Sequence, residues 1–405
     1  MSTIDPKKNS SKRRRERRKP DSGVKNLDDA IVFEVARRWL EAKGDDQKKT
    51  TTRVATWLVQ EFGAELPWLD MRWSKDKRIG LTRYRVYKIV RRAIELGFVL
   101  LSPPGNYDLR SALRERYQLD KGPVADVRVV GVTKDINEMV ARTAAETSFN
   151  LIQKLAAKHE ADAAEAGLKE VQPVSVGLGA GLSSLAVFRH LAARINAMAV
   201  CPKLRFHAMT STIGDPMVSP VTFFRLFNDN PSISYVPLTA TAFVENSRYE
   251  ELKDYDADLG NAFKLRDQIE LIISSLAAGD DPHGLARQCA DPKDPGRPGW
   301  FDEEFAGDVL YLPYREDGPI RLTKDTPGRR AVTLFDWPDF EAYRSRPDRY
   351  FVICAGPCRV CSLTKTPAIL PLLNTMRFWT HLISDAVTAT ELLDPPPALA
   401  RRKAK

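Results

Sequence analysis

The pattern of apolar and polar positions over residues 174–195 predicts a strand, a tight loop and a helix. Val174, Val176 and Leu178 form a short apolar run that is typical of a buried strand. After a glycine-rich turn, apolar residues recur three and four positions apart, which indicates an amphipathic helix. Residues 174–195 are thus predicted to form a strand–turn–helix unit.

The turn of this unit contains Gly177, Gly179 and Gly181, followed by Ser183 and Ser184. Glycines let a backbone approach a ligand closely, and the N–H groups of a helix's first turn attract anions. Either serine can cap the helix or donate to a ligand. The turn therefore predicts a phosphate site, and a connection that binds no ligand is an equal alternative.

The same turn argues against a dinucleotide site. Leu182 stands where the third glycine of G-x-G-x-x-G belongs, and no Asp or Glu lies between Val171 and Gly214 to bind a ribose.

Strand and helix patterns alternate through residues 106–393, which predicts an α/β domain with a doubly wound parallel sheet. Further strands are predicted at 126–131, 204–209, 234–238, 308–313, 330–334, 350–355 and 380–384. Helices are predicted at 106–118, 135–169, 221–227, 263–276 (running toward a buried strand), 367–375 and 386–393. Residues 394–405 are expected to be a disordered tail.

Residues 26–105 show a different order, namely three helices and a short strand, the layout of a winged helix-turn-helix. Helices are predicted at 27–43, at 53–62 with Thr51 or Thr52 as cap, and from Leu81 to Gly97 with Thr82 as N-cap. The segment 64–80 is expected to be irregular, and 98–102 to be the strand.

The third helix has two unlike faces. Val86, Ile89, Val90, Ala93 and Ile94 form an apolar stripe that can pack on the other helices. The opposite side is basic and aromatic, as a helix that reads the major groove requires. The candidate DNA-binding residues are Thr82, Arg83, Tyr84, Arg85, Tyr87, Lys88, Arg91 and Arg92.

The net charge is divided unevenly along the chain. Residues 1–105 contain 25 Lys and Arg against 14 Asp and Glu, a net charge of +11, whereas the whole chain carries +9, which leaves −2 for the rest. The first 25 residues are a polar, strongly basic arm that we expect to be disordered. This division favours double-stranded DNA as a partner of the amino-terminal part.

Chain length, hydropathy and cysteine content limit the number of domains and the cellular compartment. A chain of 405 residues has room for two or three domains. No apolar run approaches the about 20 residues of a membrane span, and the basic start lacks the apolar part of a signal peptide. Five cysteines form no even framework, so we expect a cytoplasmic protein.

Several segments, taken in order, carry a resemblance to a known family. They include VYKIVRRAIELGFVLLSPP, LRSALRERYQL, VSVGLGAGLSSLAVFRHL, ISYVPLTATAFV, FAGDVLYLPYREDG, FVICAGP, KTPAILPLL and LISDAVTATELL. From about residue 30 to residue 395 this order resembles the SorC family of bacterial sugar-responsive transcription regulators. The resemblance implies a helix-turn-helix followed by a sugar-phosphate-binding domain similar to glucosamine-6-phosphate deaminase, ribose-5-phosphate isomerase and CoA-transferases. It also implies a homo-oligomer, usually a tetramer, whose DNA binding responds to a phosphorylated sugar.

The resemblance further implies an effector site at the carboxyl ends of the strands. The residues that it places there are Gly179, Gly181, Leu182, Ser183, Ser184, Thr210, Ser211, Thr212, Ala240, Thr241, Asp308, Lys365 and Asp385. Hydroxyls, N–H groups and Lys365 suit a phosphate, and carboxylates suit sugar hydroxyls. Capping of loops or helices is an equal alternative for Asp308 and Asp385.

Three departures from the family's pattern bear on the effector. The first loop reads Gly-Ala-Gly-Leu where the family often has an Arg, Ala386 replaces the Glu after the late Asp, and residues 357–364 are inserted before Lys365. A regulator that has lost its sugar response, or that senses something else, is therefore a second interpretation.

The insert carries Cys358 and Cys361, and Cys354 lies in the strand before it. Three close thiols could bind zinc or an iron–sulfur cluster or sense oxidants, with a fourth ligand from His381, Cys201 or a distant His. The favoured interpretation is that two of these cysteines are small buried apolar residues and that the third is a thiol in a loop. No metal or other cofactor is therefore expected.

An isomerase- or deaminase-like enzyme is a third interpretation, because one fold hosts many functions. In the sequence, no His stands out beside a carboxylate in a strand-end loop, and His207 falls inside a predicted strand. A basic helix-turn-helix also has no use in such an enzyme. We therefore expect a regulator rather than an enzyme.

Overall fold

The computed structural model describes residues 27–41, 47–62, 75–96, 105–122, 126–131, 134–227, 230–255, 257–284 and 305–395, with the single residues 24, 99 and 124. The chain divides into two compact units, residues 1–101 and 102–405. The basic arm apart from Val24, the predicted strand apart from Val99, and the tail beyond residue 395 lie outside the described residues.

The described part of the amino-terminal unit contains the helices α1 (Asp29–Glu41), α2 (Gln47–Phe62) and α3 (Lys75–Glu95). Apolar residues from each helix meet in one core, to which α3 contributes Val86, Ile89, Val90 and Ala93. The predicted stripe of α3 is thus buried, except for Ile94, whose side chain is exposed.

Two predicted helix starts in this unit are wrong. Helix α2 begins at Gln47, so Thr51 and Thr52 lie inside the helix rather than at its cap. Helix α3 begins at Lys75, so Thr82 is not an N-cap and residues 75–80 are not irregular. Polar residues of good helix propensity extend both helices, and Gly80 is tolerated within α3.

The carboxy-terminal unit is built on a parallel sheet with the strand order β1-β11-β10-β6-β2-β3-β4. Every pair of neighbours in this order is parallel, which confirms the predicted α/β fold class. The strands are β1 (Asp126–Val130), β2 (Val174–Leu178), β3 (Leu204–Ala208), β4 (Ile233–Val236), β6 (Leu271–Ala278), β10 (Tyr350–Ala355) and β11 (His381–Asp385); the shorter strands β5 (Phe243–Glu245), β7 (Phe305–Val309), β8 (Leu312–Arg315) and β9 (Arg329–Ala331) complete the series.

Helices cover both faces of the sheet, and alternate residues of each strand point to opposite faces. In β10, Phe351 and Ile353 join one buried cluster, whereas Val352 and Cys354 join the other. The helices of this unit are α4 (Tyr107–Arg116), α5 (Ile136–Glu165), α6 (Leu182–Asn196), α7 (Pro220–Phe223), α8 (Tyr249–Tyr255), α9 (Ala257–Leu265), α10 (Trp337–Arg344), α11 (Thr366–Asn374) and α12 (Ala386–Leu393). In the described parts of the chain, no helix has the length and apolar character that a membrane span requires.

Two predicted elements in the carboxy-terminal unit are wrong. The helix predicted at 263–276 ends at Leu265, and Leu271–Ala278 is the central strand β6. The single strand predicted at 308–313 is a turn flanked by the antiparallel strands β7 and β8, and β7 also pairs with the end of β6. A continuous apolar run does not show whether a segment is a strand or a helix, because it lacks the polar positions that reveal a period of 2 or 3.6 residues.

We predict that Ile89→Ala destabilises the amino-terminal unit by about 2–5 kcal/mol, because Ile89 is fully buried and its removal leaves a cavity. Hydrogen exchange of peptides from α1, α2 and α3 should accelerate accordingly. Ile94→Ala, one turn away on the exposed side of the same helix, is the control and should change the exchange little. Equal protection in wild type and Ile89→Ala would contradict this packing.

Candidate functional site

The sheet has a switch point between β2 and β6. From β2 the chain continues outward through β3 and β4, whereas β6, β10 and β11 follow one another in the opposite direction. Ligands of doubly wound sheets bind outside the carboxyl ends of the strands at such a point. A cavity of about 230 Å³ lies there, lined by residues of β6, of the loop before α6 and of the turn after β7.

The end of the loop before α6 and the first turn of α6 form one wall, with Ala180 and Gly181 from the loop and Leu182 and Ser183 from the helix. Gly181 has a φ of +103°, which an L side chain rarely adopts, and its N–H donates to the carbonyl of Val218. No side chain among the described residues caps α6 at Gly181. Because Gly181, Leu182 and Ser183 line the cavity, the positive end of the helix lies at the cavity wall, as an anion site requires.

Ser183 and Ser184 lie inside α6, so neither caps the helix, contrary to one of the two roles predicted for them. Ser184 is buried, and its Oγ accepts the backbone N–H of Ser275 in β6 at 3.1 Å. Ser183 lines the cavity.

The turn between β7 and β8 forms a second wall and is strained. Leu310 and Tyr311 have φ angles of +52° and +62°, although neither is a glycine. Leu310 also crowds Gly179, where an added Cβ would come 2.9 Å from Leu310 Cδ2 and 2.3 Å from Ser274 Oγ. Such strain persists where surrounding packing holds it, often at binding sites.

A buried carboxylate and a buried ammonium face the cavity. Burial raises the pKa of Asp308 to about 7, and a backbone hydrogen bond from Tyr311 and the charge of Lys365 oppose that rise. Burial lowers the pKa of Lys365, whose Nζ donates to the carbonyl of Leu276. Both groups are placed where they can bind a polar ligand.

In the amino-terminal unit, α3 presents a stripe of exposed aromatic and basic side chains. Tyr84 is 56% exposed, Tyr87 is also exposed, and the Arg91 side chain is 81% exposed and pairs with Glu95 at 3.1 Å. Lys88 Nζ lies 4.8 Å above the Tyr84 ring. These positions recur at three- and four-residue spacing, so they share one face of the helix.

Two of the predicted DNA-binding arginines are turned into the unit. Arg85, which the helical pattern places at the edge of the basic face, is only 7% exposed. Arg92 donates to Asp29 at 2.9 Å and to the carbonyl of Val24, which ties α3 to the start of α1.

Comparison with solved structures identifies the fold. A probable sor operon regulator from Shigella flexneri matches with a TM-score of 0.51 and 13% identity over 71% of this chain and 99% of that chain. The full-length sorbitol operon regulator SorC from Klebsiella pneumoniae matches with a TM-score of 0.50 and 12% identity over 85% of this chain and 99% of that chain. The chain has the SorC fold. No protein-family model matches the sequence, and a search of curated proteins finds no match.

The SorC fold confirms the resemblance seen in the sequence, and five of the thirteen candidate effector residues line the cavity. Those five are Gly181, Leu182, Ser183, Asp308 and Lys365. The cavity wall does not include Gly179, Ser184, Thr210, Ser211, Thr212, Ala240, Thr241 or Asp385.

The distance of their strands from the switch point accounts for part of this division. Asp385 ends β11, three strands from β2 and so about 14 Å away. Its carboxylate caps α12 by accepting the N–H groups of Val387 and Thr388 and the Thr388 hydroxyl. Thr210 forms an isolated β-bridge with Thr333 and is fully buried.

Several residues of the cavity wall went unrecognised in the sequence. They are Ser274, Ser275, Leu276 and Ala277 of β6, with Asp281, His283, Tyr311 and Arg359. The first three lie in the helix that was predicted at 263–276, which hid their place in β6. His283 and Asp281 form a His–carboxylate pair at 3.4 Å in a loop after a strand, so the conclusion that such a pair was missing is wrong. The sequence Asp281-Pro-His directly after an apolar run was the available signal.

The predicted group of three cysteines is divided by the structure. Cys354 is buried in β10 as part of the core, and burial raises its pKa to about 11. Cys358 lines the cavity beside His283, and Cys361 lies near Asp281. His381, suggested as a fourth ligand, instead bonds Thr380.

We predict that Asp308→Asn removes a pH dependence of stability. Because the folded pKa of about 7 exceeds the ordinary 3.8, the folded chain keeps a proton that the unfolded chain releases between these values. Wild-type stability should therefore fall as pH rises through that window and level off above it. Asp308→Asn should be more stable than wild type at pH 8, by up to about 4 kcal/mol.

Urea unfolding at pH 5 and pH 8 measures this difference. The exposed Asp325→Asn is the control and should follow wild type at both values. If Asp308→Asn lost as much stability as wild type between the two pH values, the raised pKa would be refuted.

Proposed function

We propose that this protein is a DNA-binding transcriptional regulator whose operator affinity is controlled by a small carbohydrate, in particular a phosphorylated sugar. The division of charge carries the proposal. A net charge of +11 lies within the first 105 residues, including the exposed stripe of α3, whereas the nearly neutral remainder contains the cavity. One part meets a polyanion and the other accepts a small ligand. The shared SorC fold supports this reading.

In this proposal, residues 26–105 bind DNA and residues 106–393 bind the effector. Tyr84, Tyr87, Lys88 and Arg91 are on the exposed face of α3, and an α-helix fits the major groove. Arg and Lys contact guanine edges or phosphates, and tyrosine hydroxyls bind phosphates. The protein would act in the cytoplasm as a homo-oligomer.

The cavity favours a small anionic ligand with hydroxyl groups. Its volume of about 230 Å³ is smaller than the roughly 300–1,000 Å³ of common ligand pockets. The start of α6, Lys365 and Arg359 attract a phosphate, and Asp308 and Ser275 can bind sugar hydroxyls.

An enzyme of the isomerase or deaminase type is the second candidate, and the burial of Asp308 at the cavity wall favours it. A carboxyl whose pKa is near 7 can exchange a proton with a substrate at neutral pH. The two functions differ in turnover. An enzyme would convert a sugar phosphate and lose that activity in Asp308→Asn, whereas a regulator binds its effector unchanged.

We predict that Arg91→Ala weakens DNA binding by about 1–3 kcal/mol, or roughly 5- to 150-fold, through loss of a base or phosphate contact. The slope of affinity against salt concentration should fall by about one if the contact is to phosphate. Fluorescence anisotropy on fragments selected from genomic DNA measures both quantities.

Arg321→Ala is the control for this prediction, because Arg321 is an exposed arginine of the carboxy-terminal unit in a surface pair with Glu341. It should bind DNA as wild type does. Unchanged affinity and salt dependence in Arg91→Ala combined with Lys88→Ala would exclude α3 as the reading helix.

We predict that Leu182→Glu blocks binding of a sugar phosphate without weakening the fold. Leu182 is the first residue of α6, where an acidic side chain stabilises a helix but repels an anion in the cavity. A panel of sugars and sugar phosphates should include one that raises the melting temperature of wild type. That rise should be lost in Leu182→Glu. It should be kept in Leu182→Gln, because glutamine has the shape of glutamate without its charge.

Sugars without a phosphate test separately whether the ligand needs a phosphate group at the start of α6. A shift produced by a neutral sugar and kept in Leu182→Glu would show that the ligand places no phosphate at α6. Absence of a shift with the whole panel would favour a regulator without a sugar response.

A further inference from the structure

Four side chains of metal-binding type converge on the rim of the cavity. Asp281 and His283 come from the turn after β6, and Cys358 and Cys361 come from the insert after β10. One ligand atom from each lies within 4.8 Å of those of the other three. Two segments more than 70 residues apart in sequence thus place two thiols, an imidazole and a carboxylate around one point.

The separations of these atoms fit a tetrahedral ion. Bond lengths of about 2.3 Å for Zn–S and about 2.0–2.2 Å for Zn–N and Zn–O place nitrogen and oxygen ligands about 3.4 Å apart, and sulfur about 3.6 Å from either. His283 Nδ1 lies 3.4 Å from Asp281 Oδ1, Cys358 Sγ lies 3.8 Å from His283 Nδ1, and Cys361 Sγ lies 3.7 Å from Asp281 Oδ1. The two sulfur distances, 3.7 and 3.8 Å, are close to the about 3.6 Å expected between a sulfur and a nitrogen or oxygen that bind the same zinc ion.

Backbone hydrogen bonds hold both segments in this arrangement. The N–H of His283 donates to Asp281 Oδ1 at 2.9 Å, which orients the carboxylate. In the insert, the Cys358 N–H donates to the Leu363 carbonyl at 2.8 Å, and the Ser362 N–H donates to the Cys358 carbonyl at 2.9 Å. Ser362 has a φ of +61°, so a tight turn directly follows Cys361.

We propose that Asp281, His283, Cys358 and Cys361 form a four-coordinate site for a divalent metal ion of the zinc class. Cys, His and Asp are the ligands that zinc prefers, and Cys-x2-Cys is a common spacing in its structural sites. Asp281 and Cys358 are buried, whereas Cys361 is exposed and His283 is 35% exposed, which leaves a path for the ion.

Because the proposed metal site lies at the cavity wall, a bound metal would affect the shape of the effector cavity. Asp281, His283 and Cys358 line the cavity, as do Arg359 and Val360 from the same insert. A metal would fix the insert to the turn after β6, and so would hold Arg359 in place at the cavity wall. Metal binding is thereby expected to order one side of the effector cavity.

Metal content of the full chain, purified under reducing conditions, tests the proposal. Wild type should contain one equivalent of zinc by elemental mass spectrometry. After removal of zinc, added Co²⁺ should give the intense visible bands of a tetrahedral site and a near-ultraviolet thiolate charge-transfer band. His283→Ala and the exposed Cys361→Ser should lower the zinc content at least tenfold and weaken the cobalt bands.

Cys201→Ser is the matched control, because Cys201 is a free, partly exposed thiol outside the cluster. It should keep one equivalent of zinc and the full cobalt spectrum. Thermal melting followed by circular dichroism identifies variants that fail to fold. The cobalt spectrum of the wild-type protein tests the metal site even if a variant does not fold.

Three results would overturn the proposal. They are wild-type protein with neither zinc nor tetrahedral cobalt bands, metal retained in folded Cys361→Ser and His283→Ala, and equal loss in Cys201→Ser. A Cys358–Cys361 disulfide in protein purified without reductant, together with no metal in reduced protein, would assign the pair to redox chemistry instead.

Discussion

The carboxy-terminal unit depends on the reversal of strand order between β2 and β6. All strands of a parallel sheet end at one edge, and connections that leave in opposite directions open a crevice between the two central ends. The cavity lies there because β6 runs on to Ala278 while its pairing with β2 stops at Ile273. Ser274 to Ala277, beyond the last residue of β6 that pairs with β2, line the cavity, and the start of α6 and the turn at Leu310 form its sides.

Several local rules of chain geometry are broken around this crevice. Leu310 and Tyr311 adopt positive φ angles although neither is a glycine, and Asp308 and Lys365 are buried ionisable groups. Each of these features costs stability, and the surrounding core offsets the cost. Departures of this kind are expected at functional sites.

The sequence predicted elements well where residues at their ends mark the boundaries. The bounds of β10 and α12 were predicted correctly. The Asp385 cap marks the start of α12, and a glycine follows the last residue of β10. Strand β6 and the turn at Leu310 were missed, because continuous apolar runs carry no period. The pairing of His283 with Cys358 could not be predicted, since only the sheet order brings the ends of β6 and β10 together. Likewise, burial of Arg85 follows from packing that one helix alone does not reveal.

The central claim is that a ligand in the cavity changes the affinity of the amino-terminal unit for DNA. By linkage, such a ligand must bind the DNA-bound and free forms with different affinities. Genome-wide footprinting of the full chain would locate its operator, and the genes beside it would indicate a sugar. Titration of that operator with and without the corresponding sugar phosphate should then differ in Kd by about 5- to 150-fold, the range of typical coupling energies. An identical Kd at saturating ligand, or the absence of any preferred DNA site, would contradict the account.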